Sequence, residues 1–443
     1  MEEAWESRAL DMREAARAAS RKLRAELLMP GSRADVPAGM RAGVATADIT
    51  PEGPVYLDGY WSDRLSTRVN DRLQVKAMVI DDGYTRVALV VVDLIAYFYL
   101  WVERVRSLQT SVSPQNVVIC TTHTHSCPCI LGMFGPPGAV DQAYVDRVGE
   151  TIAKTIDKAA DQLVPVKIGF GTAKLPFDGV EIPSFARNWH NPGVMDTDVL
   201  LMRVVDDASD KAIANVVNLG NHPDVLGDQS TLVSADFFAY VYDDITRELG
   251  GETLVFQRAL GGVEPIPQGV NEPDAMEPAL RAVAGVATSA VLRAAGALEW
   301  CVRPRLTYRR VPTAFPVTSG EVLKAHALGL LPVDAADGVQ HNEMCLIEIG
   351  AAQFLTVPGE PHPEVVSKLT SMMPAKYPFV VAMANDEIGY VVAQEIFNRA
   401  GIQELLSAGS DNERVVLSAA RTLLGVDSLV TPVELQRLCG THK

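Results

Sequence analysis

The chain has 443 residues, of which 48% are hydrophobic and 21% are charged, so its composition excludes a fibrous or intrinsically disordered protein. The formal net charge of −16 argues against a protein that binds nucleic-acid phosphates or an anionic membrane surface. Six cysteines are too few for a disulfide scaffold in a chain of this length, and no apolar run is long enough to predict a membrane-spanning helix.

The first 38 residues differ in pattern from the rest of the chain. Apolar residues recur at roughly helical spacing from Leu10 to Leu28, and Pro30 and Gly31 then end the pattern. The segment therefore predicts an N-terminal helical arm over residues 1–38. It lacks the apolar region of a secretory signal, so we expect the protein to be cytoplasmic.

From residue 39 to the end, short apolar runs alternate with stretches of helical length. Many of the runs are apolar on both faces, as strands are in layered α/β proteins, and we predict a single α/β domain over residues 39–443. Strands are predicted at 75–81, 86–94, 116–123, 167–173, 199–206, 214–220, 252–257, 305–311, 345–350, 352–359 and 378–385. Helices are predicted at 142–162, 234–249, 273–297, 362–372 and 412–424.

The strongest local signal for chemistry is the segment CTTHTHSCPC at residues 120–129, which follows an apolar strand. His123 and His125 form a His-x-His pair there, and such pairs occur in metallohydrolases because neutral imidazole binds Zn²⁺ well. A polar strand end without a metal is the alternative. The pair alone leaves both interpretations open.

Three further polar segments follow predicted strands. His222 lies in Asn-His-Pro, Glu360 lies in a Pro-Gly-Glu turn, and Tyr390 ends the segment NDEIGY. Because ligands gather beyond strand ends in layered α/β proteins, we expect these segments to converge. Taken singly, each has an ordinary structural alternative, such as a solvated turn carboxylate for Glu360 or a core tyrosine for Tyr390.

Together these motifs resemble a known family. HTHS, NHPD, the PGE turn and NDEIGY occur in the order and approximate spacing of the catalytic domain of neutral (non-lysosomal) ceramidases and their bacterial relatives. The opening AGVATADITP, and DGYWSDR followed by RVALVVVDL, extend the resemblance over roughly residues 42–400. It implies an α/β fold, a layered mixed-sheet domain like the neutral ceramidase catalytic domain, with the N-terminal helical arm as an addition. The family domain has no place for the arm's apolar stripe, so we expect the arm to pack on a partner subunit in a homo-oligomer or on the domain's own surface.

The resemblance also implies a metal site. One Zn²⁺ per chain is expected, with a position left open for water or a substrate carbonyl. The implied ligands are His123, His222, Glu360 and Tyr390. His125 is implied to hydrogen-bond the bound water or the developing oxyanion, and Asp93 is a candidate carboxylate partner for an imidazole.

One departure from the family falls within residues 257–265. Ceramidases carry Gly-Asp-Val-Ser-Pro or a similar sequence there, and its serine is taken as the nucleophile or water-activating group. In this chain Glu264 occupies the serine position and Gly262 replaces the preceding acidic residue, so attack by a serine is unavailable. A carboxylate near zinc-bound water suggests a general base. The alternatives are that Glu264 binds a substrate cation or is paired with Arg258.

A second departure follows the His-x-His pair, where Cys127 and Cys129 replace glycines of the family. We expect them to narrow the pocket mouth rather than to ligate the metal, which makes a deep slot for long acyl chains less probable. Asp236 is expected to hold a ligand histidine, to assist catalysis or to cap the helix that follows it. The candidate substrate contacts are Arg187, Asn188, His190, Cys127 and Arg258.

The function expected from the sequence is a zinc-dependent hydrolase that cleaves an amide, or a related C–N or ester bond, of a small molecule by metal-activated water. It is not expected to be a true ceramidase. The expected catalytic residues are Glu264, His125 and Asp236. We expect neither a nucleic-acid nor a membrane partner. The alternatives are a catalytically altered metal-pocket protein with a binding role, and a zinc lactonase or lyase.

Overall fold

The computed structural model describes residues 39–426, except 302–303, 333–334, 336 and 399–400. The arm predicted over residues 1–38 lies outside the described residues, and the domain division at residue 38 stays a prediction. The strands of the described part are β1 (Arg41–Asp48), β2 (Arg68–Val69), β3 (Gln74–Asp81), β4 (Arg86–Val92), β5 (Val117–Thr121), β6 (Val164–Lys174), β7 (Ala186–Asn188), β8 (Asp198–Asp206), β9 (Ala212–Leu219), β10 (Leu232–Val233), β11 (Glu252–Gln257), β12 (Val263–Pro265), β13 (Glu299–Trp300), β14 (Leu306–Pro316), β15 (Val339–Ile349), β16 (Ala352–Thr356), β17 (Glu360–Pro361), β18 (Tyr377–Val381) and β19 (Tyr390–Val391).

Eight α-helices lie within the described residues. They are α1 (Tyr99–Leu108), α2 (Gln142–Asp161), α3 (Phe237–Leu249), α4 (Pro273–Ala295), α5 (Gly320–Ala327), α6 (Pro363–Met372), α7 (Ile402–Leu405) and α8 (Asn412–Leu424). None of these helices is both long and apolar enough to cross a membrane.

The larger sheet has nine strands and is mixed. Its order is β11-β9-β8-β6-β1-β3-β4-β5, and β13 also pairs with β6. The pairs β11–β9 and β4–β5 are parallel, whereas the pairs between them are antiparallel. Strand β11 at one edge contacts β4 and β5 at the other edge, so the sheet is strongly curled. The curl brings the carboxyl ends of β5, β9 and β11 to the same place.

A second sheet, with the order β14-β15-β16-β18, packs on the first. Its first three strands are antiparallel, and β16 and β18 are parallel. The two sheets share one apolar core, because strands that are buried on both faces must be covered on both. The side chains of this shared core include Met78, Leu89 and Phe170 from the first sheet, and Ile347, Phe354 and Phe379 from the second.

Helices cover the outer faces of both sheets. Side chains of α1 and α2 bury one half of the large sheet, and those of α3 and α4 bury the other half. The outer face of the second sheet is buried by α6 and α8. The layers therefore run helix, sheet, sheet, helix, and the predicted layered α/β fold is confirmed.

Candidate metal centre and active site

The four residues predicted as metal ligands meet at the join between the two sheets. His123 follows β5 and His222 follows β9, while Glu360 lies in β17 just after β16, and Tyr390 lies in β19. The Nε2 atom of His222 is 3.0 Å from Oε2 of Glu360, and the Nε2 atom of His123 is 3.5 Å from the same oxygen. Glu360 and Tyr390 are direct partners in the parallel pairing of β17 with β19.

Backbone carbonyls fix the orientation of both imidazoles. The Nδ1 atom of His123 lies 2.7 Å from the carbonyl oxygen of Ile95, and Nδ1 of His222 lies 2.9 Å from that of Val263. The tautomer that donates these hydrogen bonds leaves a lone pair on each Nε2, which is how a metal-binding histidine is held. His123 has a φ of 67°, an uncommon conformation for a residue other than glycine, so its placement carries backbone strain.

The facing atoms have no partners apart from one another. The Nε2 atom of His222 and Oε2 of Glu360 are buried and lie 3.0 Å apart, and neither has a further hydrogen-bond partner among the described residues. Two imidazoles with a carboxylate and a phenol are donors that Zn²⁺ accepts. The residues present therefore fit a zinc ion.

The electrostatics of this cluster are dominated by burial and by the close carboxylates. Burial lowers the pKa of His123 to about 4. Burial acts in the same sense on His222, but Glu264 and Glu360 outweigh it and raise the pKa of His222 to about 10. Burial, followed by the charge of Glu360, raises the pKa of Tyr390 well above its ordinary value. In the absence of a cation, Tyr390 therefore remains a phenol.

Gln257, the last residue of β11, connects the two histidine segments. Its Nε2 donates to the carbonyl oxygens of Thr122 and Asn221, each at 2.8 Å, and its Oε1 accepts from the Asn221 N–H at 3.3 Å. Thr122 and Asn221 directly precede His123 and His222. Because Gln257 is fully buried, its amide sets the separation of the two imidazole-bearing segments.

His125 lies beside the predicted ligands, in contact with aromatic rings. Its imidazole meets the rings of His123, His222 and Tyr60 edge-on, with centroids 5.0, 5.5 and 5.3 Å away. Both of its ring nitrogens are buried without a hydrogen-bond partner in the described part of the chain. Burial lowers the pKa of His125 well below its ordinary value, so the ring is neutral. Gly59 has a φ of +96°, and a Cβ there would lie 2.7 Å from Cγ of His125, so glycine is required at this position.

Glu264 lies on the side of the cluster nearest His222. Its Oε1 is 3.9 Å from Nδ1 of His222, and its Oε2 accepts from Nε2 of Gln268 at 3.1 Å. The same amide donates to Oδ2 of Asp224 at 2.7 Å, and the Tyr60 hydroxyl donates to that oxygen as well. Burial, opposed in part by His222, raises the pKa of Glu264 to about 7.

A cavity of about 250 Å³ opens onto these groups. Its polar wall carries His123, His125, Asp224, Glu264, Glu360 and Tyr390, together with Tyr60, Gln268, Gln340 and Glu387. Its apolar wall is formed by Trp61, Ile95, Phe98, Leu131, Met133, Phe134, Val322, Leu331, Ile388 and Leu406. A mostly apolar cleft with a few convergent polar groups is the usual form of a small-molecule site.

Three predicted substrate contacts on one segment lie elsewhere. The guanidinium of Arg187 is bound by the carboxylate of Glu181. Asn188 is buried and accepts from the His190 N–H at 3.0 Å, and Nε2 of His190 lies 2.9 Å from Oε1 of Glu404. None of the three is among the described residues that line the cavity. These local pairings account for their positions without a substrate.

The other two predicted substrate contacts are also outside the cavity lining. Arg258 is almost completely buried and is paired with Asp196, not with Glu264. Cys127 is buried, and its Sγ accepts from the Ile95 N–H at 3.3 Å. The cysteine therefore supports the loop that carries Ile95, and its position does not narrow the mouth of the cavity.

Two carboxylates proposed for the site have structural partners instead. Asp236 accepts from the N–H groups of Phe237, Val225 and Leu226, so it caps α3 and holds the chain that follows His222. Helix capping is therefore the one of the three expected roles that these hydrogen bonds support for Asp236. Asp93 accepts from the Gln74 N–H and from the Tyr242 hydroxyl, both at 2.9 Å, and not from an imidazole.

Asp224, Glu387, Tyr60 and Gln268 are among the cavity-lining residues that were not predicted from the sequence. Asp224 lies within NHPD, Glu387 within NDEIGY, and Tyr60 within DGYWSDR, so three of them are parts of motifs that were already recognised. Gln268 has no such signal, because only its bonds to Asp224 and Glu264 reveal its place in the site.

Comparison with known proteins shows a similarity to neutral ceramidases. Residues 40–255 match the family described as neutral/alkaline non-lysosomal ceramidase, N-terminal. The fold resembles the crystal structure of neutral ceramidase from Pseudomonas aeruginosa, with 19% identity over 90% of this chain and 76% of that one and a TM-score of 0.69. A ceramidase complexed with C2 gives 18% identity, coverage of 90% and 77%, and a TM-score of 0.68. No curated protein matches the chain.

The resemblance predicted from the motifs is thereby confirmed. Residues 40–255 are similar to the N-terminal part of neutral ceramidases, and the fold is similar to that of neutral ceramidase.

Proposed function

We propose that this protein is a zinc-dependent hydrolase that cleaves an amide, or a related C–N or ester bond, of a small molecule, and that it is not a true ceramidase. The observation that carries the proposal is the convergence of the Nε2 atoms of His222 and His123 on one carboxylate oxygen of Glu360, 3.0 and 3.5 Å away, beside Tyr390 at the cavity wall. A zinc ion held by these residues would polarise the scissile carbonyl and lower the pKa of bound water.

Glu264 is the residue that we propose for proton transfer. Its carboxylate lines the cavity, Gln268 donates to its Oε2, and its Oε1 lies 3.9 Å from Nδ1 of His222. A carboxylate in this position takes a proton from the attacking water and returns it to the leaving group. The resemblance places the serine of ceramidases at the position of Glu264. The reaction proposed for this chain therefore uses a carboxylate where ceramidases use a serine.

His125 is the residue that we propose for the developing oxyanion. Its neutral imidazole carries one N–H, and neither ring nitrogen is bonded to another described residue. A donor that is already oriented and shielded from water stabilises negative charge in the transition state without reorganisation. Gly59 and Tyr60 hold the ring in place on two sides.

The cavity supports a small substrate. At about 250 Å³ with a mostly apolar wall, it accommodates a compact acyl or aryl group beside the metal position. This supports a hydrolase of small molecules.

The experiment that tests the proposal combines metal analysis with a panel of small N-acyl compounds, lactones and esters. We expect about one zinc per chain and hydrolysis of N-acyl compounds, with kcat lowered roughly 10²–10⁴-fold by Glu264→Gln while zinc is retained. Glu150→Gln, on the exposed face of α2, removes the same charge far from the cavity and is the matched control. A zinc-loaded protein that binds members of the panel but cleaves none would show a binding role instead. Turnover restricted to lactones would show a lactonase.

A further inference from the structure

The cavity is lined by acidic side chains and not by basic ones. Asp224, Glu264, Glu360 and Glu387 line it, whereas no lysine or arginine is found among the described residues of its lining. Burial raises the pKa of Asp224, Glu264 and Glu387 above the ordinary value of a carboxyl group. A cation bound beside one of these groups would stabilise its charged form.

The guanidinium of Arg64 does not supply such a cation. Arg64 lies behind the ring of Tyr60, 4.8 Å from its centroid, and is not part of the lining. Its N–H groups donate to backbone carbonyl oxygens of Asp58, His125, Gly227 and Ser230. The charge of Arg64 is therefore used to hold the surrounding loops together, and Tyr60 separates it from the cavity.

Glu387 has one bonded and one unpartnered carboxylate oxygen. Its Oε1 accepts from the Gly389 N–H at 2.6 Å, but its Oε2 is buried and has no hydrogen-bond partner in the described structure. One of its oxygens lies within 4.8 Å of ligand atoms of both His123 and Glu360. By contrast, Asp224 and Glu264 share the amide of Gln268. Glu387 has no task in the hydrolysis proposed above.

We propose that Glu387 binds a protonated amine of the substrate next to the bond that is cleaved, so that the substrates are small cationic amines with a compact apolar group. This inference rests on the proposed function. Hydrogen bonds between an ammonium group and a carboxylate are among the stronger ones, and more so where water is excluded. The short distance from Glu387 to the metal position places the amine within a few bonds of the scissile group. The same charges disfavour substrates that carry a carboxylate or phosphate there.

The test measures binding to the zinc-loaded protein by calorimetry, with two probes of similar shape. 2-Phenylethylamine is protonated at neutral pH, and 2-phenylethanol is its uncharged counterpart. We expect the amine to bind roughly tenfold or more tightly than the alcohol. Glu387→Gln should abolish most of this difference and leave zinc affinity unchanged, because glutamine keeps the acceptor for the Gly389 N–H.

Two further variants show whether the effect belongs to Glu387. Glu387→Asp keeps the charge at a slightly greater distance and should retain part of the preference for the amine. Glu150→Gln should retain all of it. Equal binding of the two probes to the unmodified protein would overturn the proposal. So would an amine preference that survives Glu387→Gln, because the amine would then be bound by the metal or another group. A loss of zinc affinity in Glu387→Gln would show instead that Glu387 is a metal ligand.

These outcomes are separate from those of the proposed function. A protein that prefers the amine through Glu387 but hydrolyses no member of the panel would refute the hydrolase proposal and leave this one standing. A protein that hydrolyses neutral amides as fast as amine-bearing ones would refute amine binding by Glu387 and leave the hydrolase proposal standing.

Discussion

Replacing Gln257 with leucine tests whether the two histidine segments depend on a single amide. Leucine is similar in size but leaves the carbonyl oxygens of Thr122 and Asn221 without the donors that now lie 2.8 Å away. Each unpaired buried carbonyl costs about 1–3 kcal/mol, so the variant should be about 2–6 kcal/mol less stable. Because the amide also fixes the distance between His123 and His222, zinc affinity should fall about 10–100-fold, as it does when groups that orient a ligand are removed.

The measurements are urea unfolding of the metal-free protein and zinc affinity by competition with a chromophoric chelator. The matched control is Gln353→Leu in β16, where a nearly buried glutamine donates to Glu348 at 2.9 Å outside the cavity lining. This control should lose stability without losing zinc affinity. If Gln257→Leu bound zinc within twofold of the unmodified protein, the amide would not position the two segments.

Three further substitutions separate the metal centre from its supports. His222→Ala should remove bound zinc, as measured by elemental analysis of the purified protein, and full occupancy would contradict the ligand assignment. Gly59→Ala should destabilise the protein by about 1–3 kcal/mol in thermal unfolding, because a φ of +96° and a 2.7 Å contact both disfavour a side chain; an unchanged melting temperature would refute this. Arg106→Met should cost about 1–3 kcal/mol by removing one buried partner of Glu343, which keeps Arg310 and Asn385, while zinc affinity stays unchanged.

The apolar pattern predicted most of the secondary structure, because buried strands in this fold carry apolar residues on both faces. Strand β11 begins and ends where it was expected, and β3 differs by one residue. Helix α1 was not predicted. It follows directly after the apolar segment of β4, and its N-cap residue, Phe98, makes no side-chain capping bond that would mark a start in the sequence.

The convergence of His123, His222, Glu360 and Tyr390 could be predicted from the sequence, because each lies in a short motif that comes after a predicted strand. The substrate contacts could not, since their partners lie far along the chain. Arg258 is bound by Asp196 and His190 by Glu404, and neither pairing leaves a local pattern. Glu387 was missed for a different reason. An acidic residue in a strand-end motif has no distinguishing spacing, and its open carboxylate oxygen is visible only in three dimensions.

The candidate metal centre lies at the join between the two sheets, and this position affects how the protein unfolds. His123 and His222 extend from the curled sheet, whereas Glu360 and Tyr390 follow strands of the second sheet. A bound ion would thus cross-link the two sheets, because they could not separate without breaking metal–ligand bonds on one side. Removal of the ion should then speed up unfolding and proteolysis of the whole sandwich, not of one loop. A fragment that contains only one of the sheets would lack half of the ligands and would not bind the ion in this way.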